Sequence, residues 1–251
     1  MPLYETESLV LKTYNLAEAD RIVVFFTRDH GMVRGVAKGA KRLKSRFGST
    51  LEPFSTVTLE YFQKEDRELV SIRSVELLRS SFAAASEPGF LHTFSYVADL
   101  LIAFVPPHDA NETLYRMVKA CIESGAVSTD GLSAMRLYFE LWLLRLGGYM
   151  PDWTVCDGCE RKLTYEEAVD IKADFHLLCS NCRKSRGGQV ISGIQRDIVR
   201  NALRLPPGEF AEYASDKAES AADVSQVLKR IISGVIGREV ASEKSFAVNF
   251  Q

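Results

Sequence analysis

Hydrophobic positions in the first 80 residues recur with the period of a strand. Ser8-Leu9-Val10-Leu11 reads as a short strand, and Arg21 to Thr27 is an apolar run of β-branched and aromatic residues, as a strand buried on both faces would carry. Asp29-His30-Gly31 then turns the chain, and a third strand runs from Met32 to Lys38 before Gly39 ends it. From Thr56 to Tyr61 the pattern alternates, with Val57, Leu59 and Tyr61 on one face; Leu69 to Leu78 repeats it with Val70 and Ile72 inward. Five short strands with one long loop between the third and fourth predict a small OB-type barrel, with an SH3-like barrel as the competing shape.

After the soft joint from Ser80 to Gly89 the period becomes helical. Leu114, Met117, Val118, Cys121 and Ile122 make the stripe of an amphipathic helix, and Phe90 to Val105 and Leu132 to Leu146 read the same way. The last of these is apolar around most of its circumference (Leu137, Phe139, Leu141, Trp142, Leu143, Leu144), which predicts the central helix of a bundle ended by Gly147-Gly148 and Pro151. Two more helices are expected at about Gly193 to Leu205 and Ala221 to Val240. The fold class is therefore α+β: an N-terminal OB-fold barrel for nucleic acid over 1–80, a helical domain over 81–152 and 191–251, and an inserted cysteine module over 153–190.

That module holds Cys156-Asp157-Gly158-Cys159, nineteen residues, then Cys179-Ser180-Asn181-Cys182. The spacing lies in the zinc-ribbon range, and four thiolates leave no open position for water or substrate, so one structural zinc per chain is expected. Two unconnected pairs and a redox CxxC are the alternatives; neither pair opens a helix in a βαβ unit, which disfavours the second. A deaminase would need H-x-E, and none of His30, His92, His108 and His176 has Glu two residues on. His176 is near enough to Cys179 to replace a ligand but reads as a surface histidine, and Cys121 as a small core residue.

Charge changes the picture locally. The 251 residues carry 31 Lys and Arg against 33 Asp and Glu, a net charge of −2, with 46% hydrophobic residues, which excludes a histone-like polycation and a disordered acidic chain. Yet from His30 to Leu51 no acid occurs, while Arg34, Lys38, Lys41, Arg42, Lys44 and Arg46 supply six positive charges to one strand and the loop after it. On an OB barrel such a loop suits a phosphate backbone; a merely solvated face is the other reading. Phe47 and Tyr61 are possible stacking platforms, although Tyr61 alternates inward and Phe47 can serve as a loop anchor. Phosphate-loop, nucleophile-elbow and dinucleotide motifs are missing, and Glu18, Asp20 and Glu140 are isolated carboxylates that read as turn caps or surface groups, so the expectation is a protein that is not an enzyme. The N-terminus lacks the pattern of a signal peptide and the most apolar stretch is too short for a span, giving a cytoplasmic protein with no membrane contact as the expectation.

These residues together resemble the RecO family of bacterial recombination mediators. The likeness rests on Glu18 to Val24 with Thr27, His30 and Gly31, on Ala37-Lys38-Gly39-Ala40-Lys41-Arg42 with Lys44-Ser45-Arg46, on Phe139-Glu140-Leu141 followed by Gly147-Gly148-Tyr149 and Pro151, and on the two Cys pairs. It implies an OB-fold, a helical domain and a four-cysteine zinc module. It also implies binding of single- and double-stranded DNA, strand annealing, partnership with RecR and the C-terminal tail of single-strand-binding protein, indirect action on RecA, and a nucleoid-associated place in the cytoplasm. Carried over by position, Lys38, Lys41, Arg42, Lys44 and Arg46 become the DNA contacts, and Arg136 is named for the acidic tail. One departure is Asp174-Phe175-His176-Leu177-Leu178, where relatives with zinc often have a glycine pair; other members lack the cysteines. The rival readings are a zinc-stabilised interaction adaptor without direct DNA binding and a zinc-dependent nucleic-acid enzyme, the latter opposed by the closed metal shell.

Overall fold

Alternating burial closes the first five strands into a barrel. In the computed structural model, which describes residues 2–64, 67–125, 128–172, 175–183 and 189–237, these are β1 (Leu3–Asn15), β2 (Arg21–Thr27), β3 (Gly31–Ala37), β4 (Thr56–Phe62) and β5 (Leu69–Arg79). Their closed order is β1-β2-β3-β5-β4, with β3 and β5 parallel through Arg34↔Leu69 and Val36↔Ser71 and the other neighbours antiparallel. This order and crossover are those of an OB barrel, which removes the SH3-like alternative. Val23, Phe25, Val57, Leu59, Val70 and Ile72 fill the interior, the inward set that the alternation predicts.

β1 is far longer than the four residues expected from its apolar core. It pairs with β4 from Leu3↔Phe62 to Leu9↔Thr56 and with β2 from Ser8↔Thr27 to Asn15↔Arg21. Its polar ends are strand because two partners supply the ladder, a tertiary cause that hydropathy does not carry. A register shift between Val10 and Lys12 lets the strand bend across both neighbours.

Both faces of β2 are buried, as its composition predicts: Val23 and Phe25 point into the barrel, while Val24 and Phe26 are buried outside that cluster. Two helices of the same compact unit, α2 (Pro88–Phe104) and α3 (Glu112–Glu123), follow the one-turn α1 (Phe82–Ala85). Phe26 meets Tyr115 of α3 at 5.7 Å, and Phe54 meets Phe90 and Phe94 of α2 at 6.1 and 5.8 Å. Gly31 shows why its position excludes a side chain. Its φ is +62°, and a Cβ there would lie 2.2 Å from the carbonyl oxygen of Asp109.

The second compact unit, 128–237 among the described residues, is built on α4 (Thr129–Leu146), with α5 (Gly193–Ala202), α6 (Pro207–Ser215) and α7 (Ala218–Ile236) packed against it. The boundary between the two units falls inside the segment 81–152. α4 is central, as its circumference predicts, with Leu137, Phe139, Leu141 and Leu144 essentially unexposed. Its Glu140 corrects the surface reading: it is fully buried, 3.3 Å from Arg136 Nε, and accepts a 2.7 Å bond from Ser225 Oγ. α6 has no counterpart in the expected helices; only Phe210 and Ala214 are buried, too few for a stripe, although Pro207 at its first turn marks a start. Between α4 and α5 in sequence, β6 (Val169–Ile171), β7 (Leu177–Leu178) and β8 (Gln189–Ile191) form a sheet of order β7-β6-β8. The expected helix end at Val240 and the departure at Asp174 lie outside the described residues.

Candidate metal centre and nucleic-acid interface

Each cysteine pair stands on a tight turn. Val155 bridges Lys162, Glu160 N–H donates to Cys156 O at 2.7 Å, and Cys156 N–H donates to Arg161 O at 3.0 Å, so Cys156 and Cys159 face one another across a knuckle. The second turn follows β7, with Cys182 N–H donating to Cys179 O at 3.0 Å. Asp157 locks the two together: its amide donates to Leu177 O at 2.9 Å and its carboxylate accepts from Leu177 N–H at 2.5 Å. A Cβ at Gly158 would stand 3.0 Å from Cys182 Cβ, so that position keeps the knuckles close.

The four sulfurs of Cys156, Cys159, Cys179 and Cys182 all lie within 4.8 Å of one another, with Cys159 and Cys179 at 3.9 Å. Tetrahedral Zn–S bonds of about 2.3 Å would put sulfurs roughly 3.8 Å apart. The spacing suits a shared ion. The amides of Gly158 and Cys179 donate to Cys156 Sγ at 3.4 and 3.3 Å, as thiolate ligands in knuckles require. Burial opposes charge on Cys179, but the Arg161 side chain and the amides of Cys182 and Asn181 outweigh it and bring the thiol down to about 6. The neighbouring sulfurs of Cys159 and Cys179, with burial, push Cys182 up to about 12. Four sulfurs this close ionise together only around a cation, so the donor set fits a structural metal. His176 is not among the donors; its Nδ1 lies 3.4 Å from Asp157 Oδ1 and the side chain is exposed. Arg161 is a residue the sequence does not single out: it clamps Glu167 at 3.0 and 2.5 Å, and its signal would have been a basic residue beside the first Cys pair.

The basic loop is a chain of turns docked on the β1–β2 connection. Gly39 N–H donates to Asp20 Oδ1 at 2.8 Å and Lys41 N–H to Ala19 O at 2.9 Å. Asp20 is thus the turn cap that its sequence setting suggests. Phe47, 1% exposed, plugs the barrel core from the loop, and Tyr61 is equally buried with its phenol pushed up to about 12 by burial and by Tyr4. Neither ring offers an open stacking face. Arg34, Lys38, Lys41, Arg42, Lys44 and Arg46 are all exposed, and among the described residues none of the six forms an ion pair. Arg46 is the most tied, donating to Ile72 O at 3.1 Å with its guanidinium 4.8 Å from the centre of the Phe47 ring. Leu43 at the loop tip is wholly exposed. Arg136, by contrast, has a side chain only 19% exposed beside buried Glu140. No described helix is long and apolar enough to cross a membrane.

Residues 1–81 match the family model for the N-terminal part of recombination protein O, and residues 92–244 match that for its C-terminal part. A DNA repair protein RecO from Koribacter versatilis is 31% identical over 235 residues, covering 92% of each chain. Its namesake from Rubrobacter xylanophilus is 31% identical over 241 residues, covering 92% of this chain and 90% of its own. One from Syntrophotalea carbinolica is 28% identical over 208 residues.

Proposed function

The chain belongs to the RecO family, and on that premise we propose that it is a non-enzymatic mediator of DNA repair and homologous recombination. It binds single- and double-stranded DNA through the basic loop of its OB barrel, anneals complementary strands, and acts with RecR to load RecA on DNA coated by single-strand-binding protein. The observation that carries this reading is the loop itself: six exposed cations with no ion-pair partner among the described residues, on a backbone fixed by Asp20 and Phe47. A loop with a held backbone loses little freedom on meeting phosphates, and the run itself carries no acid. Annealing needs no bond chemistry. Neutralised phosphates let two like-charged strands approach, and base pairing supplies the free energy.

Zinc is the metal proposed for the four cysteines, one ion per chain, holding the excursion between α4 and α5. The C-terminal tail of single-strand-binding protein is the partner proposed for the helical part, with Arg136 as the named contact. A nucleoid-associated place in the bacterial cytoplasm goes with this reading.

The test is reversal of Lys41, Arg42 and Lys44 to Glu, read by anisotropy of a labelled single strand. The parent should lose affinity with salt at a log–log slope of about −4 if all six cations meet phosphates, and the variant should bind at least tenfold more weakly at low salt with a shallower slope. Unchanged binding would leave the interaction adaptor as the better account.

A further inference from the structure

Exposed apolar side chains stand among the cations on the outer face of the barrel, and strand register places the first of them. Tyr14 on β1 pairs with Ile22 on β2, and Ile22 with Val36 on β3, so the three side chains share one face of the sheet. It is the outer face, because Val23 and Ala37, next to Ile22 and Val36 in sequence, point into the barrel. Arg34, two residues before Val36, stands on that face too, and Lys38 follows at the end of the strand. Two strand spacings, about 10 Å, separate Tyr14 from Val36 across the sheet. The tyrosine is 49% exposed.

The basic loop supplies the second apolar residue. Ser45 N–H donates to Arg42 O at 2.9 Å, closing a tight turn with Leu43 and Lys44 at its centre. Turn centres favour Gly, Pro, Asn and Asp, each for a backbone reason that leucine does not supply. Leu43 nevertheless occupies one, wholly exposed between Arg42 and Lys44. The loop is tied to the β1–β2 connection by Lys41, whose amide donates to Ala19 O and whose ammonium donates to Ala17 O at 3.4 Å. Tip and hairpin therefore belong to one surface, and Leu16 of that connection is exposed on it as well.

A single exposed apolar side chain needs no explanation. Here three lie among cations, while Phe47 and Tyr61, the rings that the sequence offers for stacking, are buried. The cations account for phosphates alone. A single strand also presents base faces, which leave water on an aromatic ring, and base steps, which admit an apolar wedge. Among the described residues no ring packs on Tyr14, so its face is open. An intact duplex stacks its base faces on one another and meets only the cations. We propose that Tyr14 and Leu43 are the base contacts of this surface, the ring taking the face of one base and the leucine entering a base step, so that the barrel favours single strands over duplex. This rests on the proposed binding of DNA by the loop and adds what that binding selects.

The test uses the full chain and two fluorescein-labelled strands of equal length, an oligothymidylate and its abasic counterpart, which carries the same phosphates without bases. Anisotropy should show the parent binding the thymidylate strand about tenfold more tightly than the abasic one. Tyr14→Thr with Leu43→Ser, both exposed positions, should bring the thymidylate affinity down to that of the abasic strand, with the salt slope and the melting curve of the parent; threonine suits a strand, so the register is kept. Tyr14→Phe, which retains the ring face, should keep the parent's preference. Equal binding of the two strands by the parent, an undiminished preference in the folded double variant, or loss of the preference in Tyr14→Phe would overturn the assignment. Equal binding that is still lost on reversal of Lys41, Arg42 and Lys44 sinks this inference alone and leaves the proposed function standing, whereas binding of both strands that survives the reversal sinks the proposed function and this inference with it.

Discussion

Glu7 sits between the ammonium of Lys119 at 2.6 Å and the phenol of Tyr115 at 3.0 Å. Burial works against its charge, but these two donors outweigh burial and hold the carboxyl below its ordinary 4.5. A depressed folded value gives stabilisation that is complete above the unfolded value and disappears as pH falls through the folded one. Glu7→Gln should therefore cost about 1 kcal/mol at pH 7, and urea titrations at falling pH should show the difference closing only below about pH 4.5. Phe47 is the other decisive single residue. Its ring fills the barrel from a loop otherwise made of turns, so Phe47→Ala should cost about 3–5 kcal/mol in urea denaturation and weaken DNA binding without removing a charge.

α4 was legible as the central helix because residues on nearly every side of it are apolar; the ion pair inside it was not. Glu140 and Arg136 at i, i+4 look like any surface pair in sequence, and only the packing of α7 against α4 hides the carboxylate. Arg136→Ala takes the guanidinium from that buried carboxylate, which keeps its bond from Ser225 Oγ, and should destabilise the protein by about 3 kcal/mol, whereas a purely surface contact would leave its urea midpoint in place. The same distinction explains the rest of the reading. Strand alternation at Val57, Leu59 and Tyr61 and the stripe from Leu114 to Ile122 were legible because local period alone reports them. The polar ends of β1, the two-residue β7 and the short α6 were not, since a ladder partner or two buried side chains define each of them. Cysteine spacing exposed the metal site, and the acid-free run exposed the loop; Asp20 and Phe47 as its anchors needed the fold.

The two compact units allow the metal to be tested apart from the barrel. Purified chain should carry about one zinc by mass spectrometry of the metal, and Cys156→Ser with Cys159→Ser should lose it together with much of the helical signal of 128–237, while the strands of 3–79 persist by hydrogen exchange. Closure of the barrel has a further consequence, for synthesis. β1 borrows β4, and β3 borrows β5, so a chain leaving the ribosome carries β1, β2 and β3 as an open ribbon with two bare edges until residue 79 is out. The segment that emerges directly behind that ribbon is the acid-free loop. Ribbons on adjacent ribosomes along one message thus meet with like charge at the same edge, and the cations proposed to hold phosphates in the finished protein would act earlier as gatekeepers against pairing between nascent chains.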